Sequence, residues 1–99
     1  MSESKSPADW TVFTAAGFPK ELARLPRKIR ERVHEFVFQV LAESKNPFDI
    51  TNLDKLRGPG SFYKVRFGNY RLGPEIVKEK KQVHVLRVLH RRDIYRHFP

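Results

Sequence analysis

The chain has 99 residues, of which 39% are hydrophobic and 12% aromatic, and its net charge is +9. This length and composition predict a single small domain with one core, and they exclude a disordered chain. The absence of cysteine excludes disulfides, thiolate metal sites and cysteine nucleophiles, and it fits a reducing cytosol.

The positive charge is concentrated in the second half of the chain. Residues 1–53 carry eight Lys and Arg against seven Asp and Glu, whereas residues 54–99 carry twelve against four. Such a division indicates one basic face or groove. The expected partners are RNA, DNA or an acidic protein. An anionic membrane surface is less favoured because no basic amphipathic helix accompanies the charge.

The N-terminal segment 1–8 is short and polar, and we predict that it is flexible. It lacks the apolar core of a signal peptide, and no apolar run approaches the length of a membrane span. A cytoplasmic protein is therefore expected, with residues 9–99 forming the single domain. Within that domain, Asp9 to Thr14 predicts a first strand.

Two helices are predicted next. Phe18-Pro19 opens a brief one, since proline suits a first helical turn. A second begins after Leu25-Pro26 and continues to about Ser44, because apolar residues recur at helical spacing. Those residues are Ile29, Val33, Phe36, Val37, Val40 and Leu41. Phe38 lies opposite this stripe, where it is either incidental or part of a docking surface for a partner.

The segment from Phe48 to Lys55 is predicted to be a connecting loop, and a β-hairpin follows over Phe62 to Leu72. Apolar and basic residues alternate there, which is the period of a strand. Gly68-Asn69 supplies two residues that tolerate positive φ, as a two-residue hairpin loop requires. Counting outward from that loop pairs Phe67 with Tyr70 and Val65 with Leu72.

The same register pairs Arg66 with Arg71 and Lys64 with Gly73, so that Lys64, Arg66 and Arg71 share one face of the sheet. Like charges that face each other destabilise a sheet. No acid is expected among these three cations, and the face should therefore attract an external anion, with nucleic acid as the first choice.

The strand is predicted to continue to about Val77, although Pro74 removes a backbone donor and suits an edge or a bulge. After a charged turn, Val83 to Leu89 is the most apolar run and predicts the central strand, buried on much of both faces. The fold class is therefore α+β, with two N-terminal helices on one face of a small, mainly antiparallel sheet in the order β-α-α-β-β-β.

The C-terminal tail adds cations and an aromatic ring to this face. Guanidinium groups suit phosphate because they donate two parallel hydrogen bonds, and the Tyr95 ring offers a surface on which a base can stack. Basic residues outside the hairpin are predicted to contact the RNA backbone. They are Lys55, Arg57, Arg92 and Arg96. For each residue alone a solvated surface is the simpler interpretation, but their convergence favours a function.

Four short motifs in order give the chain a resemblance to a known superfamily. They are Lys55-Leu56-Arg57-Gly58, Tyr63-Lys64-Val65-Arg66, Gly68-Asn69-Tyr70-Arg71-Leu72, and Val85-Leu86-Arg87-Val88 with His90-Arg91-Arg92-Asp93-Ile94-Tyr95. The chain resembles the RelE/ParE toxin superfamily of type II toxin–antitoxin systems, and the RelE branch more than the ParE branch. The resemblance implies a RelE-like fold and a ribosome-dependent endoribonuclease that cuts mRNA in the A site.

The resemblance also implies site residues, a mechanism and partners. The catalytic set would be Lys64, Arg66, Arg71, Arg91 and Tyr95. Cleavage would proceed by attack of an RNA 2′-hydroxyl on the neighbouring phosphorus without a metal, and no cofactor is expected. An acidic antitoxin would form a hetero-oligomer with the toxin, with Phe38 as a candidate contact. Two other functions stay open, namely a ParE-like inhibitor of DNA gyrase and a non-catalytic basic RNA-binding module.

The residues allow a physical account of such cleavage. It needs a base, an acid and positive charge at the phosphate. Lys64 lies among like charges, which favours its neutral form and could make it the base. His90 is the rival, because histidine titrates near neutrality. The sequence does not show whether Arg91 or Arg92 points into the site. The four histidines show no metal-ligand spacing.

Overall fold

The computed structural model describes residues 9–99, so the predicted flexible segment 1–8 lies outside the described residues. Its strands and helices follow one another along the chain in a β-α-α-β-β-β-β-α order. They are β1 (Thr11–Thr14), α1 (Phe18–Ala23), α2 (Arg27–Glu35), β2 (Leu53–Lys55), β3 (Tyr63–Phe67), β4 (Tyr70–Val77), β5 (Gln82–His90) and α3 (Arg91–His97). Within residues 9–99, no helix is long and apolar enough to cross a membrane.

The strands form one five-stranded sheet in the order β1-β5-β4-β3-β2. The β1 strand runs parallel to β5, and the other pairs are antiparallel. The α+β class and the mainly antiparallel sheet are therefore confirmed. The run from Val83 to Leu89 does lie inside the sheet, but the middle strand is β4, and the buried residues of β5 all lie on one face.

Two elements were missed from the sequence. The segment predicted as a loop up to Lys55 ends in the short strand β2, which pairs with β3. The three residues of β2 include no β-branched side chain and are too few to show an alternation of apolar and polar residues. The strand is therefore recognised only by its pairing with β3. The tail forms α3, whose seven residues are too few to display a helical period, although Ile94 and Phe98 are buried four residues apart.

The two N-terminal helices begin where the prolines predicted, and α2 then continues into a π-helical turn, Phe36–Leu41. A π turn holds one more residue than an α turn, so Leu41 rather than Val40 follows Phe36 on the buried face. Val40 is 44% exposed, and its place in the predicted apolar stripe was therefore wrong. Phe38 is exposed as predicted.

The hairpin has the predicted register. Phe67 pairs with Tyr70, Arg66 with Arg71, and Val65 with Leu72. Of the two loop residues Gly68 and Asn69, only Gly68 has a positive φ, of +60°. The ladder between β3 and β4 ends at Val65 and Leu72, and the isolated bridge between Phe62 and Glu75 continues the same register beyond it. On the other edges of the two strands, Lys64 pairs with Asp54 of β2, and Gly73 pairs with Arg87 of β5.

A register shift lies between Gly73 and Pro74, where Pro74 was predicted to suit an edge or bulge. The shift leaves Leu86 of β5 without a partner in the ladder. Because one extra residue changes the phase of the strand, Val85 and Val88 are both fully buried although they are three residues apart.

The main core lies between the two N-terminal helices and one face of the sheet. It contains Phe18, Leu25, Val33, Phe36, Val37, Leu41, Val65, Phe67, Leu72, Ile76, Val83, Val85 and Val88, with Trp10 at its border. We call this side the helix face. The opposite side carries Lys64, Arg66 and Arg71, and we call it the basic face.

The α3 helix covers part of the basic face. The ring of Phe98 packs on Gly73 so closely that a Cβ at this glycine would approach the ring to 2.8 Å. Phe98 also meets Phe62 edge to face, with ring centroids 5.6 Å apart. A bare backbone at Gly73 therefore allows α3 to lie against β4, which brings Tyr95 to the basic face.

A salt bridge joins α1 to the sheet and to the end of the chain. Glu21 accepts hydrogen bonds from Arg87 Nε, at 3.0 Å, and from the backbone N–H of Val88, also at 3.0 Å. Arg87 Nη1 donates in addition to the carbonyl of His97 at 3.4 Å. Arg87 is thus engaged in holding elements together.

Candidate nucleic-acid cleft

A small cavity of about 80 Å³ opens on the basic face, and we call it the cationic cleft. Its lining residues come from β2, β3, β4 and α3. They are Asp54, Lys64, Arg66, Arg71 and Tyr95. The hairpin register places the three cations on one face, and the packing of α3 adds the tyrosine. Four predicted site residues are therefore brought together.

Lys64 and Tyr95 are in direct contact although 31 positions separate them in the chain. Lys64 Nζ lies 3.1 Å from Tyr95 Oη and donates a hydrogen bond to it. The same ammonium lies 5.3 Å from the centroid of the tyrosine ring. The ring is 62% exposed, so most of it stays open to solvent and to a ligand.

The cations around Tyr95 make its hydroxyl more acidic. The hydrogen bond from Lys64 is the largest cause that lowers the pKa of Tyr95 below its usual value. Desolvation acts in the opposite direction, and the charges of Lys64 and Arg71 lower the pKa further. A phenol with a lowered pKa, hydrogen-bonded to an amine, is a group that can take part in proton transfer.

Arg71 is 7% exposed and holds the hairpin from inside. Its Nη1 donates to the carbonyl oxygens of Gly68, at 2.8 Å, and Tyr70, at 3.0 Å. It thus fixes the turn and at the same time contributes positive charge to the cleft. Arg66, its cross-strand neighbour, is exposed and is the more accessible of the two for a phosphate.

Asp54 is a site residue that the sequence analysis missed. It lies directly opposite Lys64 in the β2–β3 ladder and lines the cleft. The expectation of a cationic face without an acid was therefore wrong. The sequence does not reveal this acid because a segment predicted as a loop has no register from which the residue opposite Lys64 can be counted.

His90 is not brought to the cleft. It pairs with Tyr70, so it belongs to the helix face, and the two rings meet at right angles with centroids 5.3 Å apart. Its Nδ1 accepts a hydrogen bond from the backbone N–H of Arg92 at 3.2 Å and thereby caps α3. In this structure, His90 positions the helix that carries Tyr95.

The three predicted arginines of α3 do not line the cleft. Arg91 donates its backbone N–H to the carbonyl of Asn69 at 2.8 Å, which ties the start of α3 to the hairpin turn. Its side chain is exposed, as are those of Arg92 and Arg96. All three are exposed cations of the helix that supplies Tyr95.

Lys55 and Arg57 lie farther away. Lys55 Nζ donates to the carbonyl of Gly60 at 3.2 Å and lies 5.9 Å from the centroid of the Tyr63 ring. Since Tyr63 packs against the main core, this ammonium is on the opposite side of β3 from Lys64. Arg57 is exposed in the loop that follows β2. Neither residue is part of the cationic cleft.

A second surface lies between α1 and α2, and we call it the helical groove. Its cavity is about 660 Å³ and is lined mostly by apolar atoms, with Leu22, Ala23 and Phe38 on its walls. Phe38 is 48% exposed, and its ring lies against His34 with centroids 4.6 Å apart. The predicted docking residue therefore borders a groove large enough for side chains of a partner.

Among residues 9–99, no three His, Asp or Glu side chains converge to form a metal site. The cationic cleft instead combines positive charge for a phosphate, a hydrogen-bonded Lys–Tyr pair that can move a proton, and an open aromatic face on which a base can stack.

Comparison with known proteins identifies relatives of this chain. Residues 12–95 match the ParE_toxin family, described as the ParE toxin of the type II toxin–antitoxin system parDE. The chain is 34% identical over 90 residues to Toxin RelE3 of Methanocaldococcus jannaschii, a match that covers 89% of this chain and 98% of the relative.

Solved structures of toxin–antitoxin complexes are similar in fold. The RelB–RelE complex of Methanococcus jannaschii matches with a TM-score of 0.71 and 31% identity over 88% of this chain and 99% of that chain. The RelBE2 complex of Mycobacterium tuberculosis matches with a TM-score of 0.64 and 30% identity over 83% and 98%. The intact E. coli RelBE complex gives 0.59 and 30% over 80% and 93%.

Proposed function

The chain belongs to the RelE/ParE superfamily and is a RelE-like toxin of a type II toxin–antitoxin system, and from this premise we propose that it is a ribosome-dependent endoribonuclease that cuts mRNA in the A site. The observation that carries the proposal is the contact between Lys64 Nζ and Tyr95 Oη beside Arg66. This contact supports the proposal because an amine and a phenol that share a hydrogen bond can transfer a proton beside an arginine suited to bind phosphate. A toxin that only binds its target does not need such a pair.

The proposed reaction is an internal transfer within the RNA. The 2′-oxygen of one nucleotide attacks the adjacent phosphorus, and the bond from phosphorus to the 5′-oxygen of the next nucleotide breaks. The 2′-hydroxyl loses its proton to a base, and the leaving 5′-oxygen gains a proton from an acid. The products are a 2′,3′-cyclic phosphate and a 5′-hydroxyl, and the step needs no metal ion.

We assign the base to the Lys64–Tyr95 pair. When the ammonium–phenol pair loses one proton, the proton can come from either group, and the product is an amine beside a phenol or an ammonium beside a phenolate. Both products have the same number of protons, so the two groups accept one proton as a unit. The lowered pKa of Tyr95 supports this coupling. His90 is the less suitable base because its ring belongs to the helix face and its Nδ1 already caps α3.

The arginines would stabilise the charge that develops on the phosphate. Arg66 is exposed at the cleft and would hold the phosphate oxygens, while Arg71 would contribute charge from its fixed position against the turn. Arg91 would approach the leaving oxygen, since its backbone is tied to Asn69 in the hairpin turn. Arg92 and Arg96 would contact the flanking RNA backbone, with Lys55 and Arg57 contributing only to more distant contacts.

We further propose that an acidic antitoxin binds this toxin in the cytoplasm, where ribosomes and mRNA are present. The charge of +9 favours an acidic partner, and the similar structures contain RelB antitoxins. The helical groove with Phe38 would receive apolar side chains of the antitoxin. We expect Phe38→Ala to weaken binding of the cognate antitoxin while mRNA cleavage persists. Equal affinity of the variant and the parent in a calorimetric titration would exclude Phe38 from the interface.

The match to the ParE toxin family favours one alternative, which is inhibition of DNA gyrase. The two functions differ in the molecule that is damaged. A gyrase poison causes DNA damage and leaves mRNA intact, and its effect should not depend on Lys64.

Primer extension on mRNA from cells expressing the toxin separates the two. We expect new 5′ ends within codons, absent when Lys64→Ala or Tyr95→Phe is expressed to the same level. Intact mRNA together with arrested growth and damaged DNA would refute the nuclease and support the alternative.

A further inference from the structure

A second positively charged cavity lies away from the cationic cleft, and we call it the lysine pocket. It has a volume of about 480 Å³, and three ammonium groups and two aromatic rings surround it. Its charged and aromatic members are Lys45, Lys78, Lys81, Trp10 and Phe48. Among the described residues, no carboxylate lines it. Three like charges around one cavity repel each other unless an anion joins them.

Lys81 is held in an unusual backbone conformation at this pocket. Its φ is +51° and its ψ is +50°, and it is the single non-glycine residue with positive φ in residues 9–99. Glycine adopts this left-handed region without the steric cost that a lysine bears. A backbone hydrogen bond of 3.0 Å from Thr11 N to Lys81 O fixes the turn, and the ammonium lies 5.4 Å from the centroid of the Trp10 ring. A costly conformation that places a charge at a cavity points to a function for that charge.

The pocket lies at the opposite end of the sheet from the hairpin turn. The turn at Gly68 opens β4, and Lys78 follows the last residue of β4, eight residues later in the strand. At about 3.4 Å per residue, the two ends of β4 are roughly 25 Å apart. The pocket also borders Trp10 of the helix-face core, whereas the cationic cleft is on the basic face. One phosphate cannot contact both sites.

We propose that the lysine pocket is a second RNA-binding site, which takes phosphate groups between its three lysines and a base against the partly exposed ring of Phe48. This inference rests on the proposed function, since it assumes that the toxin acts on RNA. Ammonium groups bind phosphate as point charges, and aromatic rings beside them are typical of single-strand RNA sites. An acidic peptide would use the lysines but would gain little from the ring.

The experiment measures binding to a fluorescent RNA of 20 nucleotides with 2′-O-methyl groups, which block cleavage, over a series of salt concentrations. The test variant is the triple substitution Lys45→Ala, Lys78→Ala and Lys81→Gly. Glycine suits the backbone at position 81, so the variant should keep its fold, and a thermal melt checks this. The matched control removes three exposed cations from α1, from the residue that caps it and from α2, with Lys20→Ala, Arg24→Ala and Lys28→Ala.

We expect the test variant to lose about tenfold or more in affinity at low salt, and the slope of log affinity against log salt to fall by about 2, since each phosphate contact on a single strand contributes about 0.7. The control should change far less. An equal loss in both triple variants would overturn the proposal. So would unchanged RNA binding in a test variant that no longer binds a poly-glutamate peptide, because the pocket would then serve an acidic protein.

Two further arms identify the source of the phosphate and separate this inference from the proposed function. A defect that appears with the 20-nucleotide RNA and not with one of five nucleotides indicates that a single strand reaches both sites. A defect that persists when the cleft is saturated with the short RNA and a separate labelled single strand is the probe indicates a second RNA segment. Both results support the pocket. A wild-type protein that binds RNA through the pocket but leaves ribosomal mRNA uncut refutes the nuclease alone.

Discussion

Removal of one oxygen atom tests the chemistry assigned to the cationic cleft. Tyr95→Phe deletes the hydroxyl that accepts the hydrogen bond from Lys64 at 3.1 Å, and it keeps the ring. Tyr95 is 62% exposed, so we expect the free energy of unfolding to change by less than about 0.5 kcal/mol. Loss of a proton-transfer group typically costs about 10²- to 10⁴-fold in rate. Cleavage should therefore fall by that factor without loss of fold.

The pH dependence gives a second reading of the same substitution. The pair accepts a proton only after it has lost one, so the wild-type rate should rise with pH. Because the pKa of Tyr95 is lowered, this rise should begin below the pH at which an ordinary phenol ionises. In Tyr95→Phe the part of the rise that belongs to the phenol should disappear.

The assay is single-turnover cleavage of mRNA on purified ribosomes at saturating toxin, with Tyr95→Ala as the control that also removes the ring. If Tyr95→Phe cleaves within about threefold of wild type and Tyr95→Ala is inactive, the ring acts by stacking alone. The assignment of the base to the Lys64–Tyr95 pair would then be refuted.

Three further substitutions test how the cleft is built. Arg71→Ala removes two hydrogen bonds that a buried side chain donates to carbonyls at the turn, and it should lower the free energy of unfolding by about 1–3 kcal/mol, measured by urea denaturation. An unchanged denaturation midpoint would show that these hydrogen bonds do not stabilise the hairpin. Gly73→Ala drives a Cβ against the Phe98 ring, so we expect the free energy of unfolding to fall by about 1–3 kcal/mol and cleavage to be reduced because α3 is displaced. A variant with native stability and a native cleavage rate would contradict this packing. Asp54→Asn removes the one negative charge that residues 9–99 contribute to the cleft, and it should tighten binding of 2′-O-methyl RNA severalfold, measured by anisotropy. Weaker binding would mean that the carboxylate orients the cations instead of opposing the RNA.

The sequence allowed the hairpin to be predicted in detail because its turn chemistry and its alternation agree. A two-residue loop at Gly68-Asn69 leaves a single register, and this register determines which of Lys64, Arg66 and Arg71 share a face. The three cations of the cleft could therefore be predicted by counting residues outward from the turn. That Tyr95 reaches it did not, because the packing of α3 depends on the close approach of Phe98 to Gly73.

Other features were hidden because they depend on neighbours distant in the sequence. The β2 strand is defined by pairing with β3, so Asp54 could not be placed opposite Lys64 without the fold. The π-helical turn moves Val40 out of the core, and no residue within Phe36–Leu41 signals the extra residue per turn. His90 seemed a rival base by its chemistry, and only its pairing with Tyr70 shows that it faces away from the cleft.

A ribosome programmed with an mRNA that carries a single 2′-deoxynucleotide in the A-site codon provides the most direct test of the proposed cleavage. The toxin is added to this complex and to an all-ribose control, and the 5′ ends are mapped. We expect the control to be cut in the A site, with a 2′,3′-cyclic phosphate on the upstream fragment, and the deoxy-substituted mRNA to stay intact at the position that lacks the 2′-hydroxyl. Cleavage at the deoxy position, or two intact mRNAs beside poisoned gyrase, would contradict attack by the 2′-hydroxyl in the cationic cleft.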